Sequence, residues 1–143
     1  MRRYFDVTHT VLLVVGYGIL PEEEDRPIAY DLKQAINARG GTSESRRAVV
    51  VTDMWILNQD MAGLFPAIAI GGPGVNAFAA QIYEELPVVF TRDQQVFVQL
   101  HQEGGKRAAV WGMDTRFTRE AALVFVRDRF LDRFLDLVWQ RGT

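Results

Sequence analysis

Apolar residues follow two rhythms along this chain, and the switches between them predict its elements. Residues 10–15 form an unbroken, largely β-branched run that ends at Gly16-Tyr17-Gly18. A short apolar run bounded by glycine predicts a strand buried on both faces. Ala48–Thr52 predicts a second such strand, with Asp53 at its carboxyl end and residues 54–57 as an extension. Ala67–Ile70 predicts a third, halted by Gly71-Gly72-Pro73-Gly74, and residues 87–90 a short fourth. Between them the spacing changes to that of helices. Ile28, Leu32, Ala35 and Ile36 share one face of a helix that opens near Pro27 and closes at Gly40-Gly41. A second helix opens after Asn76 and stops at Pro87. Residues 58–66 read as a loop with a small apolar tip.

The last third changes rhythm again. Val96, Val98 and Leu100 alternate with Gln95, Phe97 and Gln99. A turn at Glu103-Gly104-Gly105-Lys106 then leads into the apolar residues 107–111, which predicts a β-hairpin. Thr115 and Thr118 are candidate caps for a final helix over residues 119–140. Buried strands alternating with helices imply a mostly parallel sheet covered on both faces. The expected class is therefore α/β: a single three-layer, Rossmann-like domain spanning residues 1–143, with the hairpin at the sheet edge and one long closing helix.

Bulk composition narrows the function classes. A net charge of −2 and a pI near 5.7 argue against a general nucleic-acid surface, which needs a basic excess. Cysteine is absent, which removes disulfides, thiol nucleophiles and cysteine metal sites and fits a reducing compartment. No apolar run approaches the roughly 20 residues of a membrane span. The run at residues 11–15 is too short for a secretory signal core. A cytoplasmic location without membrane attachment is expected.

Candidate chemistry gathers at predicted strand ends. Gly71, Gly72 and Gly74, followed by Asn76, stand where doubly wound proteins bind ligands. The turn reads either as a cradle of backbone N–H groups for an anion or as a sharp bend required by packing. It lacks both the G-x-G-x-x-G spacing and a Walker lysine. Gly16 and Gly18 hold the corresponding position after the first strand, and Asp53 the position of a ribose-binding acid or of a strand-end cap. Glu22, Glu23, Glu24 and Asp25 form an acidic run, read as a solvated loop or as a source of a general base. His9 and His101 are isolated, His101 reading as a solvated surface residue. The two serines, Ser43 and Ser45, share a polar loop, and no nucleophile elbow or metal-ligand spacing occurs. Tyr17, Trp55 and Trp111 fall at strand ends, positioned either to stack on a flat ligand or to pack. The final helix carries apolar residues on more than one face, including Leu123, Phe130, Phe134 and Leu137, which suggests burial against a second copy of the chain.

Two stretches, Ile70 to Asn76 (IGGPGVN) and Ala109 to Ala122 (AVWGMDTRFTREAA), resemble the Gly-Gly-Pro-x-x-Asn and G-x-D-x-x-x-T-x-x-A elements of Rossmann-like domains in archaeal surface-layer and cell-wall-binding proteins. The resemblance covers about a third of the chain. It implies that Gly71, Gly72, Pro73, Asn76, Gly112 and Thr118 are shared as structural positions, and it supplies no catalytic residue. Tandem copies and a stalk, which accompany that family, are missing here.

The expectation from sequence is a homodimeric, non-catalytic domain that takes an anionic or nucleotide-like small ligand at the strand carboxyl ends. Gly16, Gly18, Asp53, Gly71, Gly72, Gly74 and Asn76 would line that crevice. Two alternatives stand beside it: an enzyme acting on a nucleotide or nucleoside through an acidic general base, and a protein-interaction module. Neither a metal nor a cofactor is specified by any spacing in the chain.

Overall fold

All residues of β1 (Val11–Val15) are buried, so this strand needs partners on both edges and cover on both faces. A computed structural model, which describes residues 6–101 and 105–141, shows how both are met. β2 (Ala48–Thr52) and β3 (Ala67–Ile70) flank β1 in parallel register, with Leu13 opposite Val50 on one side and Ile68 on the other. β6 (Arg107–Gly112) adds to β3 in parallel. β5 (Val96–Leu100) pairs antiparallel with β6, and β4 (Val88–Arg92) antiparallel with β5. The result is one six-stranded mixed sheet, ordered β2-β1-β3-β6-β5-β4.

Alternate residues of β1 feed two separate cores. Val11, Leu13 and Val15 join a cluster with Ile28, Leu32 and Ile36 of α1 (Arg26–Gly40) and with Val124 and Phe125 of α4 (Thr115–Arg127). Phe134 of α5 (Phe130–Val138) and Trp139 complete it, and the Trp139 indole donates to the His9 carbonyl at 2.7 Å. Leu12 and Val14 join the second cluster, with Ile56 of α2 (Asp53–Leu57) and Phe78 and Ile82 of α3 (Ala77–Ile82). Among the described residues no helix is long and apolar enough to cross a membrane.

Four elements differ from the sequence expectation. Residues 54–57 do not prolong β2. They belong to α2, because the Thr52 hydroxyl caps the Trp55 N–H at 3.2 Å and turns the chain into a helix. The acidic run is not a loop but a π-helical turn, Pro21–Asp25, continuous with α1, with the Arg26 N–H donating to the Pro21 carbonyl. β4 runs to Arg92, two residues past its expected end, and reaches β5 through Asp93 and Gln94, whose φ angles are 54° and 55°. Both are left-handed without glycine, so the usual tight-turn signal is missing. The expected turn at Glu103-Gly104 lies outside the described residues.

The final helix is two helices. Arg129, with φ 68°, breaks it between α4 and α5. The break explains why its apolar residues cover more than one face. Ala121, Val124 and Phe125 of α4 and Leu131, Phe134 and Leu135 of α5 are all buried in the same core cluster. Of the residues that suggested a second subunit, Leu123 (62% exposed) and Leu137 (42%) stay at the surface.

Arg129 is exposed, and the left-handed region costs an L-residue about 1–2 kcal/mol. Arg129→Gly should stabilise the chain by about 1 kcal/mol, and Arg129→Val should destabilise it, both read from urea midpoints. Equal midpoints for all three proteins would show that the helix break carries no strain.

Candidate functional site

β1, β3 and β6 are parallel, so their carboxyl ends meet along one edge of the sheet. The chain leaves each strand through a glycine: Gly16, Gly71 and Gly112. At Gly16 a Cβ would lie 2.0 Å from the Val75 carbonyl oxygen, so the backbone of the Gly71–Val75 turn rests directly on the end of β1. Gly71 has φ 99°, and a Cβ there would lie 2.7 Å from the Asp25 carboxylate.

Asn76 locks this arrangement. Its side chain is 1% exposed. Its amide donates to the Val14 carbonyl at 2.9 Å and the Ile70 carbonyl at 3.0 Å, tying the ends of β1 and β3 together. Its oxygen accepts from the Ala79 N–H at 3.0 Å and so caps α3. Every strong hydrogen-bonding group of the side chain is spent inside the fold. Asp53, also buried, is spent in the same way: one oxygen accepts from Met54 N–H at 2.7 Å, and the other reaches across to Ala77 N–H at 2.8 Å. It ties the start of α2 to the start of α3.

Beside this joint lies a cavity of about 410 Å³. One wall is the turn Gly72, Pro73, Gly74 and Val75; a second is Leu20, Pro21, Glu24 and Asp25 from the π-helical turn. The third runs from Trp111 into the first turn of α4, ending at Thr115 and Thr118. Trp111 is a firm wall: its ring stacks on Phe97 at 4.3 Å, and its indole N–H donates to Gln99 Oε1 at 2.8 Å. Gln99 is itself buried and donates to the carbonyls of Tyr83 and Leu86. The mouth of α4 is held by Asp114, whose carboxylate accepts from Phe117 N–H at 3.0 Å, and by the Thr118 hydroxyl, which accepts from Gly112 N–H at 3.0 Å. Asp114, rather than Thr115 or Thr118, is therefore the cap of this helix.

The cavity is acidic. Glu24, Asp25 and Asp114 line it, and among the described residues no lysine, arginine or histidine does. Asp114 is occupied by its capping bond, and Glu24 accepts from the Thr115 hydroxyl. Asp25 differs from both. It is 5% exposed and receives no hydrogen bond from any described residue. Burial, with repulsion from Glu24 as the lesser cause, pushes its carboxyl up to about 6. Within the glycine turn the N–H groups of Val75 and Asn76 both donate to the Gly72 carbonyl.

Of the residues singled out in the sequence, Gly72, Gly74 and Trp111 border the cavity, with Glu24 and Asp25 of the acidic run. Gly16, Gly71, Asp53 and Asn76 are consumed in building its frame, and Gly18, Tyr17 and Trp55 lie outside its lining. His9 pairs with Asp6 at 3.2 Å. His101 is half-buried rather than solvated, with Nδ1 unpartnered among the described residues. No group of three or more potential metal-ligating side chains occurs among the described residues. Met113 and Asp114 were missed as lining residues because nothing local in the sequence marks a helix start as a cavity wall. No protein-family model matches the chain, and no curated protein matches it in sequence.

Two outcomes follow from this geometry. Asn76→Ala removes two donors to buried strand carbonyls and leaves a helix N–H uncapped, and should cost about 3 kcal/mol in urea unfolding; a loss under about 1 kcal/mol would mean that water replaces the amide. Asp25 yields a pH signature. With a folded value of about 6 against an ordinary 3.8, the folded chain holds a proton that the unfolded chain has released. Its contribution is therefore complete below about pH 4 and fades as the pH rises through 6. Asp25→Asn should be more stable than the parent by about 2–3 kcal/mol at pH 8, and the gap should close near pH 4. Parallel stability curves from pH 4 to 8 would show that Asp25 is not strained by burial.

Proposed function

We propose that this chain is a Rossmann-like, three-layer α/β domain, with a β5–β6 hairpin at its edge, that binds a planar, nucleoside-like small molecule in the cavity beside the Gly72–Val75 turn. One observation carries the reading: a cavity of about 410 Å³ at the carboxyl ends of parallel strands contains a buried carboxyl with no partner among the described residues. Cavities of this size suit small ligands, and this edge of an α/β sheet is where such ligands bind. Trp111, held flat by Phe97 and Gln99, offers a ring-sized apolar surface. The acidic lining favours the base and sugar of a nucleotide over its phosphates, which narrows the expectation of an anionic ligand.

A second reading has its own support. A carboxyl near 6 gains and loses a proton close to neutral pH, as a general acid or base must. On that reading the site is an enzyme's, with Asp25 rather than Asp53 as the base, because both Asp53 oxygens are already engaged.

The test is an amide and indole NMR titration with adenosine, guanosine, cytidine and uridine. Binding should move the resonances of Gly72, Gly74, Thr115 and the Trp111 indole, and a ligand at a hundred times its dissociation constant should add about 2.7 kcal/mol of stability. Motion of other resonances alone, or none with any of the four, would reject the cavity as a nucleoside site. Conversion of a bound nucleoside to product by the parent and not by Asp25→Asn would decide for the enzyme.

A further inference from the structure

Asp25 carries information about the ligand as well as about the place. Asp25 is 5% exposed as a residue, its oxygens open only toward the cavity, and no described residue gives its carboxylate a hydrogen bond. Leaving a buried charge unpaired is costly, and fixed structures rarely keep one without a counterpart. The groups facing it make the deficit worse. Glu24 precedes it on the same turn, and Asp114 lies across the cavity at the start of α4. Opposite it, Gly71 presents bare backbone at close approach, where a larger residue would fill the space. The Thr115 hydroxyl, also in the lining, is already given to Glu24.

We infer that the cavity recognises a cationic, donor-rich group, an amidinium, guanidinium or amino-substituted ring, which pairs with Asp25, and that it discriminates against anions of the same shape. This inference rests on the reading of the cavity as a small-molecule site and adds the ligand's charge. An amidinium presents two parallel N–H donors that match the two oxygens of a carboxylate, and such charge-assisted pairs are about twice as strong as neutral ones. A flat amidinium-bearing ring would lie along the apolar wall of Trp111 while its donors reach Asp25. The negative charges of Glu24 and Asp114 add long-range attraction for the same cation and repulsion for any phosphate or carboxylate.

Benzamidine, benzamide and benzoate are nearly isosteric and differ in charge, so together they isolate the point. Each is titrated against the full chain at pH 7.5, with Gly72, Thr115 and the Trp111 indole as reporters. Benzamidine should bind at least about tenfold tighter than benzamide, with benzoate weakest. Asp25→Asn should erase the preference for benzamidine over benzamide, while Glu24→Gln, which keeps an acceptor for Thr115, should retain most of it. Equal affinities for the three probes, or tighter benzoate, would overturn the inference while leaving the cavity a binding site. So would nucleosides that move the reporters where benzamidine does not. If neither set moves them, the cavity reading fails together with the inference.

Discussion

A parallel sheet ends with a problem of unpaired carbonyls, and the side chain of Asn76 solves it here. Val14 and Ile70 stand near the ends of neighbouring strands, at the point where the chain turns away. Asn76 supplies two donors to them and one acceptor to the first turn of α3. Few side chains have that inventory at that length. Aspartate offers no donor, serine one, and glutamine one methylene too many. The Gly72–Val75 turn hangs between this joint and the end of β3, so the wall of the cavity inherits its position from a single amide. Gly16 completes the constraint, because only a residue without a Cβ lets the Val75 carbonyl rest on the end of β1.

Two buried aspartates near the same edge of the sheet differ in what their oxygens meet. Asp53 accepts N–H groups from the starts of two helices, α2 and α3. The side chain acts as a clasp between the two helix starts. Asp25 sits late in a helical turn, beside another carboxylate, with no N–H aimed at it. Burial is common to both; hydrogen bonding separates them. Asp53 is bound into the fold, and Asp25 is the carboxylate on which the proposed site depends.

Much of this was legible in the sequence, for identifiable reasons. β1, β2 and β3 are short apolar runs that end at glycine or aspartate, the form of a strand within a parallel sheet. Asn76 was legible as a cap because it directly precedes a helical rhythm. Its second role, joining β1 to β3, depends on the Val14 carbonyl 62 positions away and leaves no local trace. The split of the last helix was hidden because Arg129, which takes the left-handed conformation at the break, carries no helix-breaking chemistry; residues on both sides of it, Phe125 and Phe134, are buried in one core. Asp25 was hidden among its neighbours. Four consecutive acids look alike in one dimension, but Glu22, Glu23 and Glu24 are exposed and the fourth is turned inward. The bond from Arg26 to Pro21 that turns it is a π-helical irregularity without a reliable sequence signature.

That irregularity has a genetic meaning. A π turn is an α-helix with one residue too many, and each residue advances the side chains by about 100°. Loss of a single codon anywhere from Pro21 to Asp25 would return the turn to ordinary helix and rotate the acids relative to α1, while β1, α1 and their shared core could keep their places. The carboxyl in the cavity is thus separable from the scaffold by one in-frame deletion. Among descendants of this chain, that segment is where the charge lining the cavity can change with the fewest changes elsewhere.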